Sequence, residues 1–217
     1  MKTDAQLKTD VISELEWDPV INPTNVGVAV RNGIVTLTGH LGTFAEKHAI
    51  ERAVQRVSGV KATAVELDVV LSPDHHRSDA DIAAAAETAI RWNSLLPTDR
   101  VRLKVEKGWI TLSGEVDWDF QRTRAEKVVR PLIGVVGVSN SLTLRSKVAP
   151  ANITNRIRDA LTRQVEREAN AIDVKVTGDS VTLRGKVHSW TERAAAQGAA
   201  WSAAGIRQVV NELEVVD

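Results

Sequence analysis

Gly33-Ile34-Val35-Thr36-Leu37-Thr38-Gly39 returns as Gly108-Trp109-Ile110-Thr111-Leu112-Ser113-Gly114. It returns again as Gly178-Asp179-Ser180-Val181-Thr182-Leu183-Arg184-Gly185, with one extra turn residue. Twenty residues after each final glycine stands another, at Gly59, Gly134 and Gly205, and eight residues further on a leucine, at Leu67, Leu142 and Leu213. Self-similarity at a fixed period means that one small unit, used three times, makes the fold. The expected units are 1–71, 77–147 and 150–217. A unit of about 70 residues hides only about 60% of its unfolded surface. The units are therefore expected to pack on one another.

Each unit opens with an amphipathic helix. Leu7, Val11 and Leu15 become Ile82, Ala86 and Ile90, then Ile153, Ile157 and Leu161, a spacing of four that lines one helical face. Asp4, Asp79 and Asn152 precede these runs and are expected to cap them. Two strands follow, marked by strict alternation at Val26/Val28/Val30, Val101/Leu103/Val105 and Ile172/Val174/Val176. Asn32-Gly33 is a strong two-residue hairpin signal, because both residues tolerate positive φ; Lys107-Gly108 and Gly178-Asp179 hold the same place.

A second helix comes next. Thr43-x-x-Glu46 and Ser189-x-x-Glu192 have the form of capping boxes, and Trp118 takes the cap position in the middle unit. The core stripe is Ile50/Ala53/Val54/Val57, then Ala125/Val128/Val129/Leu132, then a thinner Ala196/Ala199/Ala200/Ala203. Gly59, Gly134 and Gly205 are expected to stop the helices as C′ glycines. A closing strand runs through Val65-x-Leu67, Asn140-x-Leu142 and Asn211-x-Leu213. The fold class is therefore α+β: three tandem α-β-β-α-β units, each a three-stranded mixed sheet with two helices on one face. The connections near Ser72-Pro73-Asp74-His75-His76 and Lys147-Val148-Ala149-Pro150 are short, which favours packed units.

Val-x-Leu-x-Gly-x-Val followed by a Glu/Gln-Lys/Arg pair resembles the BON domain, found in bacterial osmotic-shock and nodulation proteins. The matching residues are Gly39, Leu41, Glu46, Lys47, Gly59 and Val60, then Gly114, Val116, Gln121, Arg122, Gly134 and Val135, then Gly185, Val187, Glu192, Arg193, Gly205 and Ile206. The resemblance covers nearly the whole chain. It implies a non-enzymatic protein linked to envelope integrity, transport and osmotic stress. It also implies phospholipid binding or, as in one branch, potassium binding. The recurring glycines serve backbone geometry, so the motif itself carries fold rather than a site.

Bulk composition narrows the classes. The chain holds 28 basic and 28 acidic residues among 217, for a formal charge of zero. The first 71 residues carry a net −2 and residues 72–147 a net +2. A duplex nucleic-acid binder would be strongly basic, so none is expected as partner. There is no cysteine, which excludes disulfides, thiol catalysis and cysteine-linked lipid. The start, Met1-Lys2-Thr3-Asp4-Ala5-Gln6-Leu7, has no apolar signal core, and no apolar run reaches membrane-spanning length. The expected location is the cytoplasm, or the periplasm only where a signal peptide has been removed.

Candidate catalytic or metal residues read blandly. His40 and His48 have no nucleophile or carboxylate set beside them. His75-His76, next to Asp74, lacks the i,i+4 helical spacing that focuses two imidazoles on one ion, so it reads as a surface linker. Asp117 and Asp119 around Trp118 read as helix N-terminal acids that complement the dipole. No enzyme activity, no cofactor and no metal site is expected.

Tryptophan is the more informative residue, with six Trp against two Phe and no Tyr. Trp109 falls on the strand face opposite Ile110 and Leu112, among Arg102, Lys104 and Arg145, whereas the equivalent face carries Glu66 and Asp68 in the first unit and Glu212 and Glu214 in the third. Trp17 and Trp92 occupy equivalent places near the end of the first helix, off its apolar stripe, exposed or wedged between units. Trp190 and Trp201 read as core or inter-unit packing. The cationic face of the middle unit either packs against an acidic neighbour or meets an outside ligand.

The candidate ligand-binding set is therefore Trp109, Arg102, Lys104, Arg145, Trp92 and Trp17. The partner expected for it is an anionic membrane surface or a protein. Two other readings stay open: a cytosolic binder of potassium or another small monovalent cation, and an interaction scaffold or holdase.

Overall fold

The computed structural model describes the backbone of residues 2–145, 153–164 and 172–216, and the side chains of all of these except 161–164. The proposed cap Asn152, the side chain of Leu161 and the connection Lys147-Val148-Ala149-Pro150 lie outside the described residues.

Among the described residues the first repeat runs α1 (Asp4–Trp17), β1 (Val26–Arg31), β2 (Ile34–Leu41), α2 (Phe44–Arg56) and β3 (Ala62–Val69). The second runs α3 (Asp79–Arg91), β4 (Val101–Glu106), β5 (Trp109–Val116), α4 (Asp119–Val129) and β6 (Gly137–Leu144). The third runs α5 (Ile153–Gln164), β7 (Ile172–Thr177), β8 (Ser180–Val187), α6 (Trp190–Trp201) and β9 (Gln208–Val215). Each repeat forms its own three-stranded sheet, with the second strand in the middle. β1 pairs with β2 antiparallel and β2 with β3 parallel, and β7, β8 and β9 repeat that mixed pattern. The expected α+β class and the α-β-β-α-β order hold in all three repeats.

The apolar stripes end where periodicity places them. Leu7, Val11 and Leu15 pack with Val35, Leu37, Ile50, Ala53 and Val54 in the core of the first repeat. Ile153, Ile157, Val181, Leu183, Ala196 and Ala200 do so in the third. No polar or charged side chain is buried among the described residues. The stabilising term is apolar burial, about 1.5–3 kcal/mol for each large aliphatic side chain.

Four local expectations need correction. First, the helices are capped by Thr3 and Ser78, not by Asp4 and Asp79. Thr3 forms a full capping box with Gln6, and the Ser78 hydroxyl accepts the Asp81 N–H. The aspartates start the helices and reach across to the hairpins. Asp4 accepts from the N–H groups of Asn32 and Gly33 at 2.7 and 3.0 Å, and Asp79 from those of Lys107 and Gly108, both at 2.8 Å.

Second, the Thr43 and Ser189 motifs are half-boxes. Each hydroxyl accepts the N–H three residues on, but Glu46 accepts from Asn22 N–H and Glu192 from His188 N–H. In the middle repeat Gln121 supplies the other half, accepting the N–H groups of Asp117 and Trp118.

Third, the glycines after the second helices are not C′ residues. α2 and α6 end at Arg56 and Trp201, and Gly59 and Gly205 come later. Each glycine, at φ between +88° and +97°, is the third residue of a turn closed from Val60 N–H to Val57 O, Val135 to Leu132, and Ile206 to Ala203. Positive φ at the third residue is the signature of a type II turn.

Fourth, the third hairpin has no extra residue. Thr177 pairs with Ser180 just as Arg31 pairs with Ile34, so the turn is still two residues long. In the first two hairpins both turn residues have positive φ, as type I′ requires, whereas in the third the glycine has moved to the first position at φ +62°.

The chain resolves into two compact units: Met1–Gly114 with Arg124–Leu142, and Glu115–Thr123 with Thr143–Asp217. Inside the first, Phe44 at the start of α2, His75 and the segment Arg130–Val135 after α4 line a common cavity of about 80 Å³. Inside the second, the Arg122 guanidinium stacks over the Trp201 ring at 4.8 Å.

Candidate functional site

The outer face of the second sheet, turned away from the helices, is where the site residues of strongest chemistry fall together. β5 buries Ile110 and Leu112 and turns Trp109, Thr111 and Ser113 the other way. Register with β4 places Glu106 opposite Trp109, Lys104 opposite Thr111 and Arg102 opposite Ser113. Arg102 and Lys104 are exposed, and the Lys104 ammonium pairs with Glu106 on its own strand at 2.9 Å. Such an exposed pair is worth little and yields readily to a competing anion.

Trp109 is partly spent on structure. Its indole N–H donates to the Ser139 hydroxyl at 2.9 Å, and its ring lies against Gly137, where a Cβ would fall 2.3 Å from ring carbons. An aromatic laid over a strand glycine restores the apolar cover that the glycine lacks. The first repeat has the pair Ile34 and Ala62 at these places, and the third has Ser180 and Gln208. The Trp109–Gly137 exchange is therefore peculiar to the middle repeat. The ring is nonetheless 46% exposed.

Trp17 and Trp92 do not lie on this sheet, whereas Arg145 follows the outward alternation of β6. Trp17 ends α1 and Trp92 caps α3, with 81% and 83% of their surface in solvent. Exposed Val20 and Leu95 follow them at the same spacing. These tryptophans are exposed rather than wedged. Trp17 stands between Glu16 and Asp18 in the chain, and Asp18 together with Glu14 pairs with Arg56. Arg145 directly follows β6, its N–H donating to Val116 O.

The other sequence candidates resolve into structural roles. Asp119 pairs with Arg122 at the start of α4. His48 lies 3.7 Å from Glu51 on the same helix. His75 ends a short 3-10 turn, Pro73–His75, beside the small cavity in the first unit. Among the described residues no group of three or more His, Cys, Asp or Glu is placed to hold a metal ion. Trp190 lies under the Arg193 guanidinium at 5.3 Å, and Trp201 packs against the core of the third repeat. In the third sheet the outward Arg184 pairs with Glu212, a hydrogen bond that holds its guanidinium still more firmly protonated.

The residues that sequence reasoning missed are Ser139, Gly137 and Ser141, which give β6 hydroxyls and a glycine on the outer face. Only Ser141 carried a signal in the sequence, since it replaces the acids Glu66 and Glu212 of the other repeats; Ser139 and Gly137 stand where the others have Ala64/Val210 and Ala62/Gln208. No described helix is long and apolar enough to cross a membrane.

The BON domain family model matches the chain three times, over residues 3–70, 78–146 and 150–217. A relative, osmotically-inducible protein Y of Escherichia coli (strain K12), is 25% identical over 143 residues, covering 64% of this chain and 71% of that protein. Two solved structures of CdsD, a structural protein of the type III secretion system of Chlamydia trachomatis, overlay with a TM-score of 0.25. One is 16% identical and covers 96% of this chain and 91% of the other; the C-terminal domain is 17% identical and covers 100% of both. That score is too low to bear on function.

Proposed function

The chain belongs to the BON domain family, and from that premise we propose that it is a non-enzymatic, osmotic-stress-associated binding protein whose second repeat docks on anionic phospholipid surfaces. The stress association draws on the name of the Escherichia coli relative. The observation that carries the surface assignment is the outer face of β4–β5–β6. There Arg102 and Lys104 share the face with a half-exposed Trp109, and Ser141 stands where Glu66 and Glu212 stand in the other repeats. Guanidinium and ammonium groups meet lipid phosphates, and a tryptophan with one wet and one apolar side suits the headgroup level. A cytoplasmic location belongs to the same proposal, because anionic lipid gives that leaflet its negative surface potential.

Trp17 and Trp92, exposed at helix ends off this sheet, carry no part of this reading. A protein surface with the same negative character is the competing partner. The test is tryptophan emission of the full chain titrated with phosphatidylserine-containing and with purely zwitterionic vesicles, at low and at moderate salt. A blue shift with anionic vesicles alone, weakened by salt, supports the proposal. The same response to both vesicle types, or none, removes lipid and leaves the acidic protein partner.

A further inference from the structure

The first repeat carries a cavity that the second-repeat face does not involve. It measures about 370 Å³ and lies between α1 and β1, lined by Lys8, Ile12, Leu15, Glu16, Pro23, Thr24, Val26 and Val28. It is a groove half open to solvent, and its volume falls in the range of ligand clefts. The wall is repeat-specific. Ile12 adds an apolar side chain beside the Leu7/Val11/Leu15 stripe, whereas its counterparts are Glu87 and Arg158.

β1 is the edge strand of its sheet. Arg31 and Ile34 flank the two-residue turn, so the hydrogen-bonded pairs are Arg31/Ile34, Ala29/Thr36 and Gly27/Thr38. The N–H and C=O groups of Val28 and Val30 therefore point out from the sheet. Edge strands are usually blunted by proline, lysine or a bulge. β1 has an unbroken register, no proline and no lysine, and a charge only at its turn end, Arg31.

We propose that this groove takes an extended peptide segment of a partner protein, which adds to β1 as a fourth strand and lays alternate side chains against α1. Main-chain hydrogen bonds to Val28 and Val30 give affinity in such strand addition, and the pocket beneath gives specificity. Charge complementarity fixes the occupant further. Asp4 ties the start of α1 to the hairpin turn at the end of β1, so α1 and β1 run in opposite directions. Lys8 then lies toward the Val30 end and Glu16 toward the Val26 end. Eight helical residues separate Lys8 from Glu16 by about 12 Å, which is about four residues of strand. The segment that fits reads acidic-x-apolar-x-basic, with its acid at Lys8 and its base at Glu16.

The probe is a labelled, end-blocked peptide, Val-Thr-Glu-Thr-Val-Thr-Lys-Thr-Val, and a second with Glu and Lys exchanged. Antiparallel addition places the glutamate of the first at Lys8, and antiparallel pairing is the slightly stronger mode. Anisotropy with the full chain is expected to show saturable binding that favours the first probe. Amide exchange at Val28 and Val30 should slow at least about tenfold in the complex.

Ile12→Glu should weaken binding at least about tenfold by putting a carboxylate in the apolar wall. The fold tolerates that residue, since Glu87 holds the same place in the second repeat. The double exchange Lys8→Glu with Glu16→Lys should reverse the preference between probes. The proposal is overturned by any of four results: no binding of either probe; binding indifferent to Ile12→Glu; binding without protection of Val28 and Val30; or a homodimer through β1 that Ile12→Glu dissolves.

Discussion

Asp4 and Asp79 show how single residues here join elements that the sequence leaves separate. Each carboxylate takes both N–H groups of a hairpin turn while sitting at the first position of a helix. Removing a charged acceptor from two such donors costs about 1–3 kcal/mol. Asp79→Ala is expected to lower the urea midpoint accordingly, with Asp79→Asn, which keeps one acceptor, falling between. Gly114 makes a sharper demand. At φ +118° a Cβ there would stand 2.0 Å from the Arg100 carbonyl oxygen. Gly114→Ala should therefore destabilise by more than about 3 kcal/mol, in the class of severe backbone effects. A thermal melt indistinguishable from wild type would contradict this. The repeat made this glycine legible in sequence, but not its partner, because the Arg100 carbonyl belongs to the turn before β4.

Among elements, the helices and strands were readable because their periods of four and two were clean. Leu7/Val11/Leu15 and Ile110/Leu112 are buried as their spacing requires. The caps were read less well. Thr3-x-x-Gln6 is a complete capping box in plain sequence, yet Asp4 drew the assignment because aspartate is also a good cap. Thr43-x-x-Glu46 looks the same in sequence, but Glu46 turns to Asn22, a partner 24 residues away that no local pattern reveals. Thr43→Ala, which frees the Glu46 N–H, is expected to cost about 1 kcal/mol by chemical denaturation. Of the candidate site, the alternation of β4 and β5 placed Arg102, Lys104 and Trp109 on one face. It could not show that Trp109 covers Gly137, because that pairing crosses from β5 to β6.

At the scale of the whole molecule, the boundary between the two compact units runs through the second repeat. Within the second unit the Arg122–Trp201 stack joins the start of α4 to α6. A partly buried cation–π contact contributes about 0.5–2 kcal/mol, so Arg122→Ala, which also removes the partner of Asp119, should lower stability by that order, measured in the full chain by urea denaturation. The proposed function makes the larger claim, that the outer face of the second sheet meets anionic lipid. Each cation near such a surface is worth about 1 kcal/mol, so losing two costs about thirtyfold in affinity. Arg102 and Lys104 are exposed and support no core, whereas Trp109 also covers Gly137, which makes the cations the cleaner probe. The most direct measurement is co-sedimentation of wild type and Arg102→Glu/Lys104→Glu chains with anionic vesicles at low salt. The expected result is strong wild-type binding and at least a thirtyfold loss in the variant with its melt unchanged; equal sedimentation of the two would contradict the assignment.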